Sequence, residues 1–387
     1  MLRSVVVDGS PGSVAGLAAA LAAALDGTGP AVRPVAVPGP DPAGELPEGA
    51  AVVVSTSGST GEPKHVVLTA AALTASARAT EDRLGGPGRW LLALPAEHVA
   101  GIQVVVRALL AGAPPQVQDV REGFRPDGFA RATERLPHGD RRYTSLVPTQ
   151  LLRLLDAGGA PLAALRGYAA VLVGGAALDP ALRARALDAG VHVVTTYGMS
   201  ETAGGCVYDG LPLDGVSVTL EDDGRIVLGG PTVAAGYLGD AAATAAAFGG
   251  GRFRTGDLGR LDDGRLTVLG RADDVVVTGG EKVAPAAVER VLAAQPGIAD
   301  ACVVGVPDEH WGAVVAAAVV LAPDGNLDDL RASLRAAVRT ALGRAAVPRR
   351  WLAVDAVPLR GIGKPDRSAV ARLLSATNSS EHTPPIR

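Results

Sequence analysis

The ten residues Ser55-Thr56-Ser57-Gly58-Ser59-Thr60-Gly61-Glu62-Pro63-Lys64 gather hydroxyls, glycines and one lysine directly after the apolar run Ala51–Ser55. Glycines let backbone N–H groups turn toward an anion, and hydroxyls add donors around phosphate oxygens. Lys64 supplies a point charge to the same place. The chemistry this composition fits is phosphate binding. Its spacing differs from G-x-x-x-x-G-K-[ST], so an ordinary nucleotide triphosphatase loop is not implied. A Ser/Gly surface turn shares the composition, and the order ending in Pro63-Lys64 favours the phosphate reading over it.

The loop resembles the phosphate-binding signature of the adenylate-forming superfamily of acyl-CoA synthetases, luciferases and peptide-synthetase adenylation domains, with Thr56, Ser57, Gly58, Ser59, Thr60, Gly61 and Lys64 around the phosphates. One position departs: His65 stands where the family usually has glycine. Further segments follow in the family's order. Gly174-Gly175-Ala176 is similar to its adenine-side loop. Thr195-Thr196-Tyr197-Gly198-Met199-Ser200-Glu201-Thr202 resembles the second signature. That resemblance implies Tyr197 against adenine, a threonine on the α-phosphate, Thr196, Gly198 and Thr202 lining the nucleotide, and Glu201 on Mg2+. An aromatic face suits a purine and a carboxylate suits a hard cation. Taken alone, Glu201 also reads as an acidic residue at a helix N-terminus.

Phe253-Arg254-Thr255-Gly256-Asp257-Leu258-Gly259 resembles the third signature, whose aspartate holds both ribose hydroxyls. A carboxylate can accept two hydrogen bonds from a vicinal diol. Arg271, within Gly270-Arg271-Ala272-Asp273-Asp274, is similar to the ribose-contacting arginine, and Asp273 falls at the family's hinge. Val277–Val283 resembles the lining of the pantetheine tunnel, where Gly279 and Gly280 would pass a narrow thiol arm. A plain left-handed turn before a helix fits those two glycines equally well. Leu359–Arg367 resembles the C-terminal catalytic loop, with Lys364 as its lysine.

Elements must hold these segments in place. Apolar runs at Ala51–Ser55, Leu91–Leu94, Val171–Val173 and His192–Thr195 alternate with Ala/Leu-rich helical stretches, which predicts α/β architecture with largely parallel sheets. After about residue 210, Asp-Gly turns at Asp223-Gly224 and Asp263-Gly264 separate short strands, predicting a small antiparallel, barrel-like section. The final hundred or so residues read as strand, helix (284–294), strands (301–306 and 314–321) and helix (327–342), an α+β unit. The expected organisation is a large N-terminal domain, residues 1–272, that binds ATP and acid. A smaller C-terminal domain follows, residues 273–375, mobile in the family and carrying Lys364, and then a flexible tail, 376–387.

Bulk composition removes other classes. A net charge of −4 leaves no basic footprint for nucleic acid or an anionic membrane. The apolar run Val14–Leu25 is preceded by Arg3 but also by Asp8 and the turn residues Gly9-Ser10-Pro11-Gly12, so strand, turn and helix fit it better than a signal peptide. No run approaches the ~20 apolar residues of a membrane span. Cys206 and Cys302 stand far apart without metal-ligand spacing, consistent with a reducing cytoplasm.

By resemblance, a carboxylic acid attacks the α-phosphorus of ATP with Mg2+ present, and coenzyme A then takes the acyl group. Lys364 serves the first half-reaction only. About fifty residues precede the phosphate loop, which resembles the short o-succinylbenzoate–CoA ligases of menaquinone biosynthesis. Three further segments resemble that group: 91–101, 143–150 and 200–210. In the first of them His98, counted with Lys364 and Glu201 among the catalytic groups, would wall the acyl pocket; a satisfied core histidine is the plainer alternative. Arg107, Ser145 and Thr149 remain open as partners for a second substrate carboxylate. Competing readings are an aryl or medium-chain acid ligase, a domain loading a carrier-protein thiol, and a non-catalytic nucleotide sensor. Many relatives are dimers, so a homodimer is the assembly to test.

Overall fold

The structure, a computed structural model, describes residues 1–56, 63–137, 139–323, 325–360 and 364–376. Its first sheet has five strands in the order Leu2–Val6, Ala31–Val35, Ala50–Thr56, Lys64–Thr69, Gly236–Tyr237. The first three are parallel; the last two join antiparallel. The apolar run near the N-terminus is the helix Pro11–Leu25, capped by Ser10 and burying Val14, Leu17, Ala18, Leu21 and Ala24. That three-and-four spacing is one face of a helix, and strand, turn and helix is therefore what forms.

A second sheet holds seven strands in the order Leu211–Pro212, Gly204–Tyr208, Val193–Met199, Ala170–Val173, Arg142–Leu146, Arg89–Leu92, Gln116–Val117. From Val193–Met199 to Gln116–Val117 all neighbours are parallel. Helices Ala70–Leu84 and Val99–Leu110 pack between the two sheets in one continuous core of mostly Val, Leu and Ala. Parallel strands covered on both faces are expected to read as unbroken apolar runs, as Ala170–Val173 does, whereas Arg142–Leu146 buries Thr144 and Ser145 as well.

The section after residue 210 is antiparallel, as expected. Ser217–Leu220, Arg225–Gly229 and Arg252–Asp262 pair in sequence, and Arg265–Arg271 returns along Arg252–Asp262. The C-terminal unit has its own three-stranded sheet, Ile298–Asp308, Gly312–Leu321 and Arg350–Ala353, packed by Pro285–Ala293, Leu327–Leu342 and Arg367–Ala376. A large N-terminal and a small C-terminal domain, both mixed α/β, make up the chain. Cys206 and Cys302 are free and buried; burial is the largest cause raising each thiol to about 12. Among the described residues no helix is long and apolar enough to cross a membrane.

Candidate active site

The flanks of the phosphate loop are neighbouring antiparallel strands, with Thr56 opposite Lys64 and Ser55 opposite His65. Thr56 Oγ1 donates to the Lys64 carbonyl at 3.3 Å. Ser57, Gly58, Ser59, Thr60, Gly61 and Glu62 lie outside the described residues. His65 sits in regular strand, so its backbone needs no glycine, and its Nδ1 lies 3.0 Å from Ser55 Oγ. Burial first, and the Arg33 charge second, hold its pKa below 6.5. Folded His65 thus binds its proton less readily than the unfolded chain does. Its contribution to stability is full above pH 6.5 and falls as pH drops below that value. Replacement by asparagine is expected to flatten the acid side of a Tm–pH curve, read by thermal denaturation between about pH 5 and 8.

The Thr-Tyr-Gly motif lies on the strand Val193–Met199, not in a loop after it. Gly198 faces Gly205 on the antiparallel neighbour, and a Cβ at Gly198 would stand 2.1 Å from the Gly204 carbonyl oxygen. A Cβ at Gly174 would stand 2.3 Å from Thr196 Oγ1, so the adenine-side loop rests directly on the motif. Gly175, at φ +79°, and Ala176 are exposed beside it. Thr202 is buried; its hydroxyl accepts from Met199 N–H at 3.0 Å and donates to the Gly204 carbonyl at 2.9 Å. That side chain closes the short turn Ser200–Thr202 instead of facing a ligand. Ala203 follows at φ 50°, fully buried, its carbonyl accepting from Ser76 Oγ at 3.0 Å and Gln103 Nε2 at 2.8 Å. These two donors hold a conformation that alanine rarely takes, and with it the direction of Glu201.

Asp257 is 9% exposed and already engaged on both oxygens. Tyr197 OH donates to Oδ2 at 2.8 Å, and Arg271 Nη1 lies 3.5 Å from Oδ1. Each carboxylate oxygen has a second lone pair, leaving capacity for a diol. Burial first, then Asp257, raises the Tyr197 pKa, so its hydroxyl stays a donor at neutral pH. Arg271 also reaches Asp273 Oδ2 at 3.3 Å, linking Asp257 to the expected hinge.

Glu201 Oε1 accepts from Tyr237 OH at 2.9 Å, and Lys64 Nζ lies 4.6 Å from the centre of the same ring. The sequence reading gave Tyr237 no role. Among the described residues no group of three or more metal-ligating side chains gathers anywhere. Mg2+ that arrives on nucleotide phosphates needs only one or two protein carboxylates, so a single Glu201 fits such an ion.

Gly279 and Gly280, at φ +57° and +87°, form the two-residue turn between Val276–Thr278 and Glu281–Val283. Paired left-handed residues make the tight hairpin turn that glycine favours. Lys364 lies on a short hairpin, paired through its backbone with Arg360. Three residues on, Arg367 anchors that hairpin. It bonds Asp274 at 3.0 Å, both oxygens of Glu289, and the Val303 carbonyl at 2.6 Å. His98 is exposed at the start of Val99–Leu110, not a core histidine. Arg107 is 3% exposed, bonded to Tyr208 OH at 3.3 Å and stacked 5.1 Å from the Trp90 ring centre, so its charge serves the core. Ser145 is buried and Thr149 exposed.

Comparison with known proteins bears on the family. Residues 5–238 match the AMP-binding enzyme family model and residues 287–364 match the AMP-binding enzyme C-terminal domain. A probable 2-succinylbenzoate–CoA ligase of Mycobacterium tuberculosis is 48% identical over 331 residues, 85% of each chain. The structure resembles amide bond synthetase McbA of Marinactinospora thermotolerans with a TM-score of 0.75 and 31% identity, covering 89% of this chain and 75% of that one. The o-succinylbenzoate CoA synthetase MenE of Bacillus subtilis, solved with its acyl-adenylate intermediate, gives a TM-score of 0.72 at 29% identity, covering 83% and 69%. Motif order and two matched domains converge: the chain belongs to the AMP-binding, adenylate-forming enzyme family.

Proposed function

We propose that this chain is a 2-succinylbenzoate–CoA ligase, forming the acyl-adenylate from ATP and then the CoA thioester. The observation that carries the reading is the 48% identity over 85% of both chains to a relative of that name. Supporting it is the joining of Tyr197, Asp257 and Arg271 in one bonded set, and of Lys64, Tyr237 and Glu201 in a second.

In adenylate formation the acid's carboxylate oxygen bonds to the α-phosphorus and pyrophosphate leaves, so positioning and charge stabilisation do most of the work. Asp257 and Arg271 bind ribose, and Tyr197 packs on adenine. Gly174, Gly175 and Ala176 border the base, Thr196 and Gly198 line the α-phosphate, and Thr56 to Lys64 hold the outer phosphates. Mg2+ beside Glu201 supplies neutralising charge when bound. Lys364 stabilises the first transition state, and His98 borders the acyl group. Residues 1–272 and 273–375 then change orientation about Asp273, Gly279 and Gly280 admit the thiol arm, and the thiol sulfur displaces AMP from the acyl carbon. A cytoplasmic enzyme fits the two buried free thiols; a homodimer is tested by sedimentation.

The deciding experiment measures CoA-dependent AMP release with o-succinylbenzoate, benzoate, a coumarate-like acid and octanoate. Strong preference for o-succinylbenzoate is the expected result. Preference for another acid overturns the substrate and keeps the chemistry. The similarity to an amide bond synthetase favours one second reading, an amine as acyl acceptor. AMP release driven by a small amine and not by CoA would select it.

A further inference from the structure

Lys64 and Glu201 carry opposite charges on neighbouring segments, yet among the described residues they form no ion pair. A direct pair would neutralise the cation meant for phosphate and the carboxylate meant for metal. Tyr237 lies between them. It presents its ring face to Lys64 Nζ, 4.6 Å from the centroid, and its hydroxyl to Glu201 Oε1 at 2.9 Å. The first contact uses the negative ring face, the second the polar O–H, so one side chain satisfies both charges without joining them.

Several contacts fix the place of Tyr237. Its backbone pairs with Val66, two residues from Lys64, and its N–H donates to Thr244 Oγ1 at 2.9 Å. Phe248 packs edge-on at 5.2 Å. Gly236, at φ +141°, leaves the space of a Cβ to the Thr244 methyl, 2.6 Å from where that atom would stand. Leu238 N–H donates to the His65 carbonyl, and Ala234 N–H to the carbonyl of Glu201 itself. The segment is therefore tied on one side to the lysine strand and on the other to the glutamate turn.

We propose that Tyr237 is a positioning residue that holds Lys64 by its ring and Glu201 by its hydroxyl, keeping the two apart and available to a metal-bound polyphosphate. This rests on the adenylate-forming reading above. Tyr237→Phe keeps the ring and removes the hydroxyl; Tyr237→Leu removes both. For Tyr237→Phe, the Mg2+ concentration giving half-maximal adenylation is expected to rise about 10-fold and adenylation kcat to fall about 10- to 100-fold, as for other partners of metal-holding groups. Thioester formation from preformed adenylate stays near wild type, and calorimetric ATP binding in EDTA stays within about two-fold. Tyr237→Leu additionally weakens metal-free ATP binding about five-fold. Unchanged metal dependence in Tyr237→Phe, or equal loss of both half-reactions in step with a lower Tm, overturns the proposal. If the wild type adenylates no acid, the functional reading falls instead, and metal-free ATP binding by Tyr237→Leu still decides the role of Tyr237.

Discussion

Lys364→Ala is expected to lower adenylate formation about 100-fold or more, a loss of about 2.7 kcal/mol in transition-state stabilisation, as when a single charge-stabilising donor is removed elsewhere. Thioester formation from preformed adenylate is expected to survive, because the proposed mechanism gives the lysine a part in the first half-reaction only. The hairpin that carries it is held by backbone pairing of Leu359 with Pro365 and of Arg360 with Lys364. Asp366 N–H adds a 2.7 Å bond to the Pro358 carbonyl, and Arg367 ties the following helix to Asp274 and Glu289. These contacts are made by backbone atoms and by Arg367, and Tm is expected to stay at the wild-type value. Pyrophosphate exchange reads the first step, and single-turnover CoA acylation the second. Equal loss in both would remove Lys364 from the mechanism.

Gly198→Ala is expected to be the most damaging change of a single carbon. The new Cβ would meet the Gly204 carbonyl oxygen at 2.1 Å and Gly205 Cα at 2.7 Å. Both atoms are backbone, so no side-chain rotation relieves the clash, and the strands must part. Overpacking of this kind costs about 1–3 kcal/mol. A fall in Tm of about 5 °C or more is expected. The same parting moves Tyr197 and the Glu201 turn, so ATP affinity drops about 10-fold or more, about 1.4 kcal/mol. Gly249→Ala, where a Cβ meets nothing within 4 Å, is the matched comparison and is expected to behave as wild type.

Much of the architecture was legible because its signals are local. The helix Leu327–Leu342 begins after Asn326, whose side chain caps Asp328 N–H, and stops before Gly343. Polar caps and a terminal glycine are boundary marks a sequence displays openly. Asp-Gly turns marked the hairpins after residue 210 in the same way. The apolar run His192–Thr195 marked only the first part of the strand Val193–Met199, which continues through Tyr197 and a glycine. Here it permits the close approach of Gly198 to Gly205, a pairing visible only once both strands are present. The terminal helix Arg367–Ala376 went unread: it buries only Val370 and Leu374, too little periodicity to separate it from a fraying end.

At the site, residue types that meet a ligand could be matched to motifs, whereas the groups that orient them could not. Ser76 and Gln103 steady the Ala203 carbonyl from 127 and 100 residues away. Arg367 reaches Glu289 across 78. No local spacing encodes such contacts. Thr202 is the converse case: its place in the motif suggested a ligand contact, while its hydroxyl closes the turn.

The two buried thiols have a use in the laboratory. Burial is the largest cause raising both, to about 12, so almost no thiolate is present at neutral pH, and thiolate is the form that reacts with maleimides. The native chain is thus nearly silent to thiol chemistry without any cysteine being removed. A cysteine introduced on the exposed face of the C-terminal unit, with a second on the large domain, would take a donor and an acceptor dye selectively. Single-molecule energy transfer would then test the proposed swing about Asp273 through a catalytic cycle in an otherwise unaltered protein.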